Sequence, residues 1–245
     1  MINAEDQVVK FYAEKRDMVK EAVSNLALKV YGNKIKYGKK SIVLTGCTPS
    51  NGTTMIAINL AVALTEPGHK TLLIDADMRT RIKHGNRAAD NGLCEVISGQ
   101  CSEADAIRLT NFPDLHFMPA GNRAKNPVLS LCNNEAADLI SRVSDKYDFV
   151  IIDCPAVTVV PDASALFINV DGILLVCTLD VTTKKQLRSA KSLIEPYAEK
   201  YYGLIVNSVD SREYRRLFPN YDYYLEKPKS NHKSNRWGKK VKKAR

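Results

Sequence analysis

The sequence predicts an α/β fold in which helices cover both faces of a doubly wound, mostly parallel sheet, a three-layer sandwich. Short runs of β-branched and aliphatic residues alternate along the chain with helical stretches. These runs are continuously apolar, which is typical of strands buried on both faces. A glycine-bearing loop and several aspartates follow the runs, at the edge where such sheets bind ligands. With 245 residues and 44% hydrophobic content, the chain can bury one sizeable core.

The elements follow from these patterns in chain order. A charged leader is predicted to be helical over about Ala4–Tyr31. Amphipathic segments separate the strands and are predicted as helices at Thr54–Leu64, Pro127–Ser144 and Thr183–Glu199. The predicted strands are Ser41–Thr45, Thr71–Asp75, Leu115–Pro119, Phe149–Asp153, Gly172–Thr178 and Gly203–Asn207. The chain then divides into a helical leader (1–40), a core (41–210), a tyrosine-rich segment (211–225) and a basic tail (226–245).

The loop after the first strand predicts a phosphate site. Small residues and Gly52 allow backbone N–H groups to converge on an anion at the start of the next helix. In the Gly-Lys-Ser/Thr signature the Lys reaches the outer phosphates and the hydroxyl binds Mg²⁺, whereas this chain has Thr53 and Thr54 at those positions. The predicted nucleotide-binding residues of the loop are Thr48, Pro49, Ser50, Asn51, Gly52, Thr53, Thr54 and Met55.

Carboxylates end two of the strands. Asp75 and Asp77 follow the second strand and Asp153 ends the fourth, so all three are expected at the edge of the sheet that holds the phosphate loop. Mg²⁺ takes one or two carboxylates, a Ser/Thr hydroxyl and phosphate oxygens. Thr54, Asp153 and one of Asp75 or Asp77 therefore form a candidate magnesium site.

Three segments resemble the Walker A, A′ and B motifs of bacterial tyrosine kinases, the autokinases of capsular and exopolysaccharide synthesis. They are the phosphate loop, the run 75–79 (Asp-Ala-Asp-Met-Arg) and the run 147–155, and the similarity spans about residues 41–210. The resemblance implies a P-loop NTPase fold like that of the MinD and ParA ATPases, and these septum and partition ATPases remain an alternative function. They would carry a signature Lys at the position of Thr48.

The resemblance also implies ATP and Mg²⁺ as cofactors and transfer of phosphate from ATP to tyrosine. One of Asp75 and Asp77 would take the tyrosine proton and the other would act through the metal, with Asp75 favoured as base and Asp77 as ligand. Asp153 would bind Mg²⁺ with Thr54, and Asn207 would read adenine, or else end a strand in a turn. The implied phosphoacceptors, for which aromatic packing on the core is the alternative, are Tyr214, Tyr221, Tyr223 and Tyr224.

Two departures from the family pattern bear on activity. Thr53 removes a cation that contacts the outer phosphates, so a catalytically weak kinase or an inactive nucleotide-binding regulator is the alternative function. The family's Glu-x-x-Arg-x-x-Arg ring motif reads Glu21, Ser24 and Ala27, which argues against a ring and leaves another homo-oligomer open. Cations that could replace the lysine are Arg79, predicted to bind the cofactor, and Arg81, Lys83, Lys184 and Lys185.

Charge is concentrated at the C-terminus. The segment 226–245 holds nine Lys or Arg against one acid and so carries +8 of the net charge of +9. It is predicted to be disordered and to act as a solubilising end or to bind an anionic membrane, with nucleic acid less favoured. The sequence has no apolar stretch of the roughly 18–20 residues that a membrane helix needs, which predicts a cytoplasmic protein. The resemblance implies a membrane polysaccharide co-polymerase as activator and a peripheral position at the inner face of the membrane.

Overall fold

The computed structural model describes residues 8–13, 17–79, 91–122 and 124–217. Within them one sheet has the order β3-β4-β2-β5-β1-β6-β7, and every neighbouring pair is parallel except β3 with β4. The predicted fold class is confirmed. The strands are β1 (Ser41–Gly46), β2 (Thr71–Asp75), β3 (Arg108–Leu109), β4 (Leu115–Met118), β5 (Phe149–Cys154), β6 (Gly172–Thr178) and β7 (Tyr201–Asn207).

Helices cover both faces of this sheet. The segment predicted as a single helix from Pro127 is two helices, because the Asn133 side chain accepts the Ala136 N–H and starts a new one. The helices are α1 (Asp17–Tyr37), α2 (Thr53–Thr65), α3 (Leu93–Ile97), α4 (Glu103–Ala106), α5 (Pro127–Leu131), α6 (Asn134–Lys146), α7 (Asp162–Phe167), α8 (Lys184–Ile194) and α9 (Ser211–Leu217), with a 3₁₀ helix at Glu195–Lys200.

The leader differs from its predicted helix. Over 8–13 the backbone is not helical: Val9 forms a parallel bridge with Thr110, and its N–H donates to the Leu109 carbonyl at 3.0 Å. Phe11 packs edge-on against Phe117 with ring centroids 5.2 Å apart. The helical prediction was wrong here because the backbone at Val9 pairs with the edge of the sheet. The Phe11 side chain packs against Phe117 instead of lining a helix face. The leading helix α1 begins at Asp17 and runs on to Tyr37.

The core lies on the two faces of the central strands. Every residue of β1, β5 and β6 is buried, as the continuously apolar runs predict. On one face α2 packs against the sheet and α1 packs against α2 through Ala27 and Val30. The other face is covered mainly by α6, α7 and α8. This stacking fixes the carboxyl ends of β1, β2 and β5 at one edge of the sheet.

A second compact unit begins at Val209. Its described part is α9, whose first turn is capped by the Asp210 carboxylate, which accepts the N–H groups of Arg212 and Glu213 at 2.7 and 2.8 Å. Tyr214 lies in α9 and is half-buried. The other predicted phosphoacceptors and the basic tail 226–245 lie outside the described residues. Across the part of the chain that the model describes, no helix has the length and apolarity needed to cross a membrane.

Candidate nucleotide-binding site

The loop between β1 and α2 has the backbone that a phosphate cradle requires. Ser50 and Gly52 adopt positive φ values of 63° and 78°. A Cβ on Gly52 would lie 2.3 Å from the Asn207 Nδ2, and one on Gly46 would lie 2.8 Å from the Thr48 carbonyl oxygen. Glycine at both positions is therefore required for this close approach.

Asn51 holds the loop in this shape. Its side chain is buried, and its Oδ1 accepts the Thr48 N–H at 2.7 Å. Its Nδ2 donates to the hydroxyls of Thr178 at 3.0 Å and Thr182 at 3.2 Å, at the end of β6. The loop is thus fixed both internally and to the neighbouring strand, which preorganises its N–H groups.

The N-terminus of α2 is open to an anion. Gly52 is the N-cap residue, and within the described chain no side chain accepts a hydrogen bond from the first turn of this 13-residue helix. The first N–H groups of a helix need partners from outside it, and the helix dipole favours a negative one. This geometry suits the phosphates of a nucleotide, and binding by the loop residues Thr48 to Met55 stays a prediction.

The carboxylates converge beside this helix. Asp75 and Asp153 are direct partners in the register of β2 with β5, and the Thr54 hydroxyl donates a hydrogen bond to Asp153. Burial raises the pKa of Asp153 to about 7; the Thr54 hydrogen bond opposes this shift and the charges of Asp75 and Asp77 add to it. The Asp77 N–H donates to Asp75 Oδ1 at 2.9 Å. A buried acid beside two other carboxylates is suited to a cation.

The donor set fits Mg²⁺ bound together with a nucleotide. The described residues hold no group of three or more His, Cys, Asp or Glu side chains arranged for a metal by themselves. Mg²⁺ in phosphoryl-transfer sites uses only one or two carboxylates, with a hydroxyl, water and phosphate oxygens as its other ligands. Thr54, Asp77 and Asp153, the ligands predicted from the sequence, are groups of the kinds that this set requires.

Arg79 forms a bidentate ion pair that the sequence did not predict. Its Nε and Nη2 donate to the two carboxylate oxygens of Asp162, both at 2.7 Å, and Asp162 is fully buried at the start of α7. The Arg79 N–H also donates to Asp77 Oδ1 at 3.1 Å. The pair therefore fixes the segment that carries Asp77, and it engages a guanidinium predicted to contact the cofactor.

The remaining candidates for the missing lysine are placed as follows. Lys184 and Lys185 are exposed in the first turn of α8, directly after the Thr182–Thr183 pair, and Thr182 contacts Asn51 of the loop. Arg81 and Lys83 lie outside the described residues. Whether any of these cations contacts the outer phosphates stays a prediction.

Asn207 lies next to the loop, as its predicted role in reading adenine requires. Its Nδ2 donates to the Asn51 carbonyl at 2.9 Å, and its Oδ1 accepts the Ser208 N–H at 2.8 Å.

The positions that carry the ring motif in the family lie in two environments. Glu21 and Ser24 are exposed, whereas Ala27 is buried against α2. An arginine at position 27 would point into the protein's own core.

Sequence reasoning missed the side chains that support the site. Asp162 follows Pro161 at a helix start, which reads as an ordinary cap, and no local signal reveals that Arg79 reaches it. The link from Asn51 to Thr178 and Thr182 spans more than 120 residues, and only the strand order brings the three together. A cavity of about 440 Å³ lies elsewhere, at α8 and the 3₁₀ helix, and shares no lining residue with the loop.

Comparison with known proteins agrees with this geometry. A family model described as an AAA domain matches residues 40–180. The tyrosine-protein kinase CpsD of Streptococcus agalactiae is 32% identical over 174 residues, which cover 70% of this chain and 76% of that protein. This chain belongs to the bacterial tyrosine-kinase family. The tyrosine-protein kinase wzc of Salmonella typhimurium is 28% identical over 85% of this chain, but the match spans only 29% of that longer protein.

This chain is also similar to solved structures, both of tyrosine kinase domains and of other proteins with the same fold. The BceF tyrosine kinase domain is 30% identical, with a TM-score of 0.73 and coverage of 84% of this chain and 85% of that one. The septum site-determining protein MinD of Pyrococcus horikoshii, in complex with Mg-ADP, is 22% identical with a TM-score of 0.57 over 71% of this chain and 72% of that one. The second likeness shows the fold alone, which the kinases and the MinD ATPases share.

Proposed function

We propose that this chain is an ATP-dependent protein-tyrosine kinase that phosphorylates its own C-terminal tyrosines and so regulates capsular or extracellular polysaccharide synthesis and export. The observation that carries the proposal is the placement of Thr54, in the first turn of α2, beside the buried Asp153, which pairs in register with Asp75. It joins a phosphate loop to a carboxylate cluster, which is the arrangement that phosphoryl transfer needs.

The described residues suggest how the chain would act. The loop N–H groups bind the phosphates, and Asn51 keeps them oriented. Thr54, Asp77 and Asp153 would hold Mg²⁺, whose charge offsets that of the phosphates when it is bound. Asp75 would accept the tyrosine proton, with Asp77 as the alternative base. Because catalysis of this reaction is mostly positioning and electrostatics, the Arg79–Asp162 pair contributes by fixing the backbone next to Asp77.

Thr53 supports a second candidate, a nucleotide-binding regulator with weak or no kinase activity. A charge-assisted hydrogen bond to phosphate contributes about 1.5–3 kcal/mol, so its loss lowers affinity roughly 10- to 150-fold. The loss is larger in the transition state, where charge develops. Arg79 is the cation nearest in sequence to Asp77, but its guanidinium donates both of its bonds to Asp162 and is not positioned for the phosphates.

Family membership supports a membrane polysaccharide co-polymerase as the partner and activator, with the chain peripheral at the inner face of the membrane. The tail 226–245, with its net charge of +8, would add attraction to anionic lipid. Because Ala27 is buried, a homo-oligomer of this chain would use a surface other than that of the family ring. Nucleic acid remains the less favoured partner of the tail.

One experiment separates the candidates. Purified protein is incubated with γ-labelled ATP and Mg²⁺, and bound nucleotide and phosphotyrosine are measured in the same sample. The kinase proposal predicts label on tyrosine that disappears when Tyr214, Tyr221, Tyr223 and Tyr224 are all changed to Phe. Binding without label supports the regulator, and label that persists in the four-Phe variant overturns the proposed acceptors.

A further inference from the structure

The C-terminal half of α1 carries an unusual solvent surface, which we call the α1 surface and define as Leu28, Lys29, Ile35, Lys36, Tyr37 and Lys39. Leu28, Ile35 and Tyr37 are 66%, 67% and 57% exposed. Leu28 and Ile35 are seven residues apart and share one helix face with Gly32 between them, where a Cβ would meet nothing within 4 Å. This is an open aliphatic stripe, on a face of α1 that points away from the buried Ala27 and Val30.

Cations flank the stripe without acids among them. Lys29 and Lys36 are also seven residues apart and exposed, and no Asp or Glu occurs between Glu21 and Glu66. Two acids from packed elements face this end of the sheet. Asp148 binds Lys34 at 2.5 Å, and Asp171 accepts the N–H groups of Lys40 and Ser41. These contacts leave Lys29 and Lys36 as the exposed cations of the surface, while Lys39 is half-buried and interacts with Asp171.

Aromatic rings hold two of these cations beside the apolar residues. The Lys36 and Lys39 Nζ atoms lie 4.9 and 5.8 Å from the centroid of the Tyr37 ring. A cation held against a ring that is itself more than half exposed presents apolar and positive groups together. This combination is typical of surfaces that lie at the boundary between lipid headgroups and acyl chains.

We propose that the α1 surface binds anionic bilayers, as a site separate from the basic tail. A second copy of the chain fits this surface less well, because a two-fold contact through it would bring the Lys29 and Lys36 side chains of one copy close to those of the other. Nucleic acid would be attracted by the lysines but would gain nothing from Leu28 and Ile35. An anionic lipid surface uses both the charges and the exposed aliphatic groups. The proposal does not depend on nucleotide chemistry.

The first test is sedimentation of the full chain with vesicles of phosphatidylcholine and phosphatidylserine. Because each near-surface cation contributes about 1 kcal/mol, removing two lowers partitioning about 30-fold, and Lys29→Glu/Lys36→Glu is expected to lose at least that much. Arg188→Glu/Lys191→Glu is the matched control, since both residues are exposed on α8 and the change in net charge is the same. The tail is present in both variants. Equal binding by the two would overturn the proposal.

The second test locates the contact. In a Trp237→Phe background, Tyr37→Trp places the sole tryptophan in the α1 surface, and Leu129→Trp places it at a site of like exposure, since Leu129 is 67% exposed. Bromine-labelled lipids are expected to quench the tryptophan at 37 and not the one at 129. An unquenched tryptophan at 37 in vesicle-bound protein would contradict the proposal. So would a charge-reversal effect that is found with duplex DNA and not with vesicles.

Discussion

The buried Asp153 leads to a prediction about stability whose sign is unusual for a carboxylate. Its pKa is raised to about 7, mainly by burial. The unfolded value is about 3.9, so the shift is roughly 3 pH units, or about 4 kcal/mol at 1.36 kcal/mol per unit. For an acid whose pKa is higher in the folded state, folding is favoured most when the group is protonated in both states. Without nucleotide, the chain therefore loses stability as pH rises from about 4 to about 7.

Asp153→Asn removes the buried charge and keeps an oxygen that can accept the Thr54 hydroxyl. We expect it to stabilise the nucleotide-free protein by up to about 4 kcal/mol at pH 8, and by little near pH 4. For a chain of this length, that corresponds to about 8–16 °C in the unfolding midpoint. The same variant should lose the stabilisation that wild type gains from ATP and Mg²⁺, because the charge that binds the metal is gone.

Thermal unfolding followed by far-UV circular dichroism at pH 8 and pH 5 measures this difference. Asp148→Asn is the control with the opposite sign, since the ion pair with Lys34 lowers the pKa of Asp148. That variant should lose stability at pH 8 relative to wild type, with the loss shrinking as pH falls through the lowered pKa of the folded state. If Asp153→Asn is no more stable than wild type at pH 8, or gains equally at both pH values, then the burial argument is refuted.

Three further predictions concern the groups around the loop. Arg79→Ala leaves the buried Asp162 without its bidentate partner and should cost about 1–3 kcal/mol in urea unfolding, whereas Arg79→Ala/Asp162→Ala should recover most of that loss. A double variant as unstable as the single one would contradict a stabilising role for the ion pair. Thr53→Lys should tighten ATP binding by about 10- to 150-fold in titration calorimetry, and no gain would mean that another cation already contacts the phosphates. Asn51→Ala removes the acceptor of the Thr48 N–H, so it should destabilise the chain by about 1–3 kcal/mol and weaken ATP binding. An unchanged affinity would show that the loop keeps its shape without this side chain.

The sheet was predictable from sequence because buried parallel strands have a strong local signature. Thr71–Asp75 and Gly172–Thr178 were predicted with the bounds that the structure gives. The antiparallel strand Arg108–Leu109 was missed, since two residues with intermediate and exposed side chains give no periodicity. The extended backbone at Val9 and Phe11 was also missed, because it depends on pairing with a strand about 100 residues away.

The site divides in the same way. Asp75 and Asp153 lie at the carboxyl ends of β2 and β5, and Gly52 and Thr54 lie where the loop after β1 enters α2. Parallel-sheet geometry brings such positions together whatever the rest of the chain does. Asp162 carried no such signal, because its partner Arg79 is 83 residues away and on a different loop. Sequence reasoning therefore predicts the groups that meet the ligand more readily than the groups that hold them in place.

The α1 surface could be predicted from the sequence only in part. The sequence shows five lysines between residues 28 and 40, but it does not show which of them bind other groups of the protein and which belong to the surface. Lys34 and Lys40 bind Asp148 and the Ser144 carbonyl, whereas Leu28 and Ile35 face solvent. Only the packing of α1 on α2 separates the buried apolar side of this helix from its exposed one.

We propose that the loop and its carboxylates support phosphoryl transfer to tyrosine even though Thr53 replaces the lysine. The most direct measurement is mass-spectrometric mapping of phosphate on wild type, Thr53→Lys and Asp153→Asn after incubation with ATP and Mg²⁺. We expect phosphotyrosine in the C-terminal segment of wild type, more of it in Thr53→Lys, and none in Asp153→Asn. Unmodified tyrosines in both wild type and Thr53→Lys, in protein that demonstrably binds ATP and Mg²⁺, would contradict it.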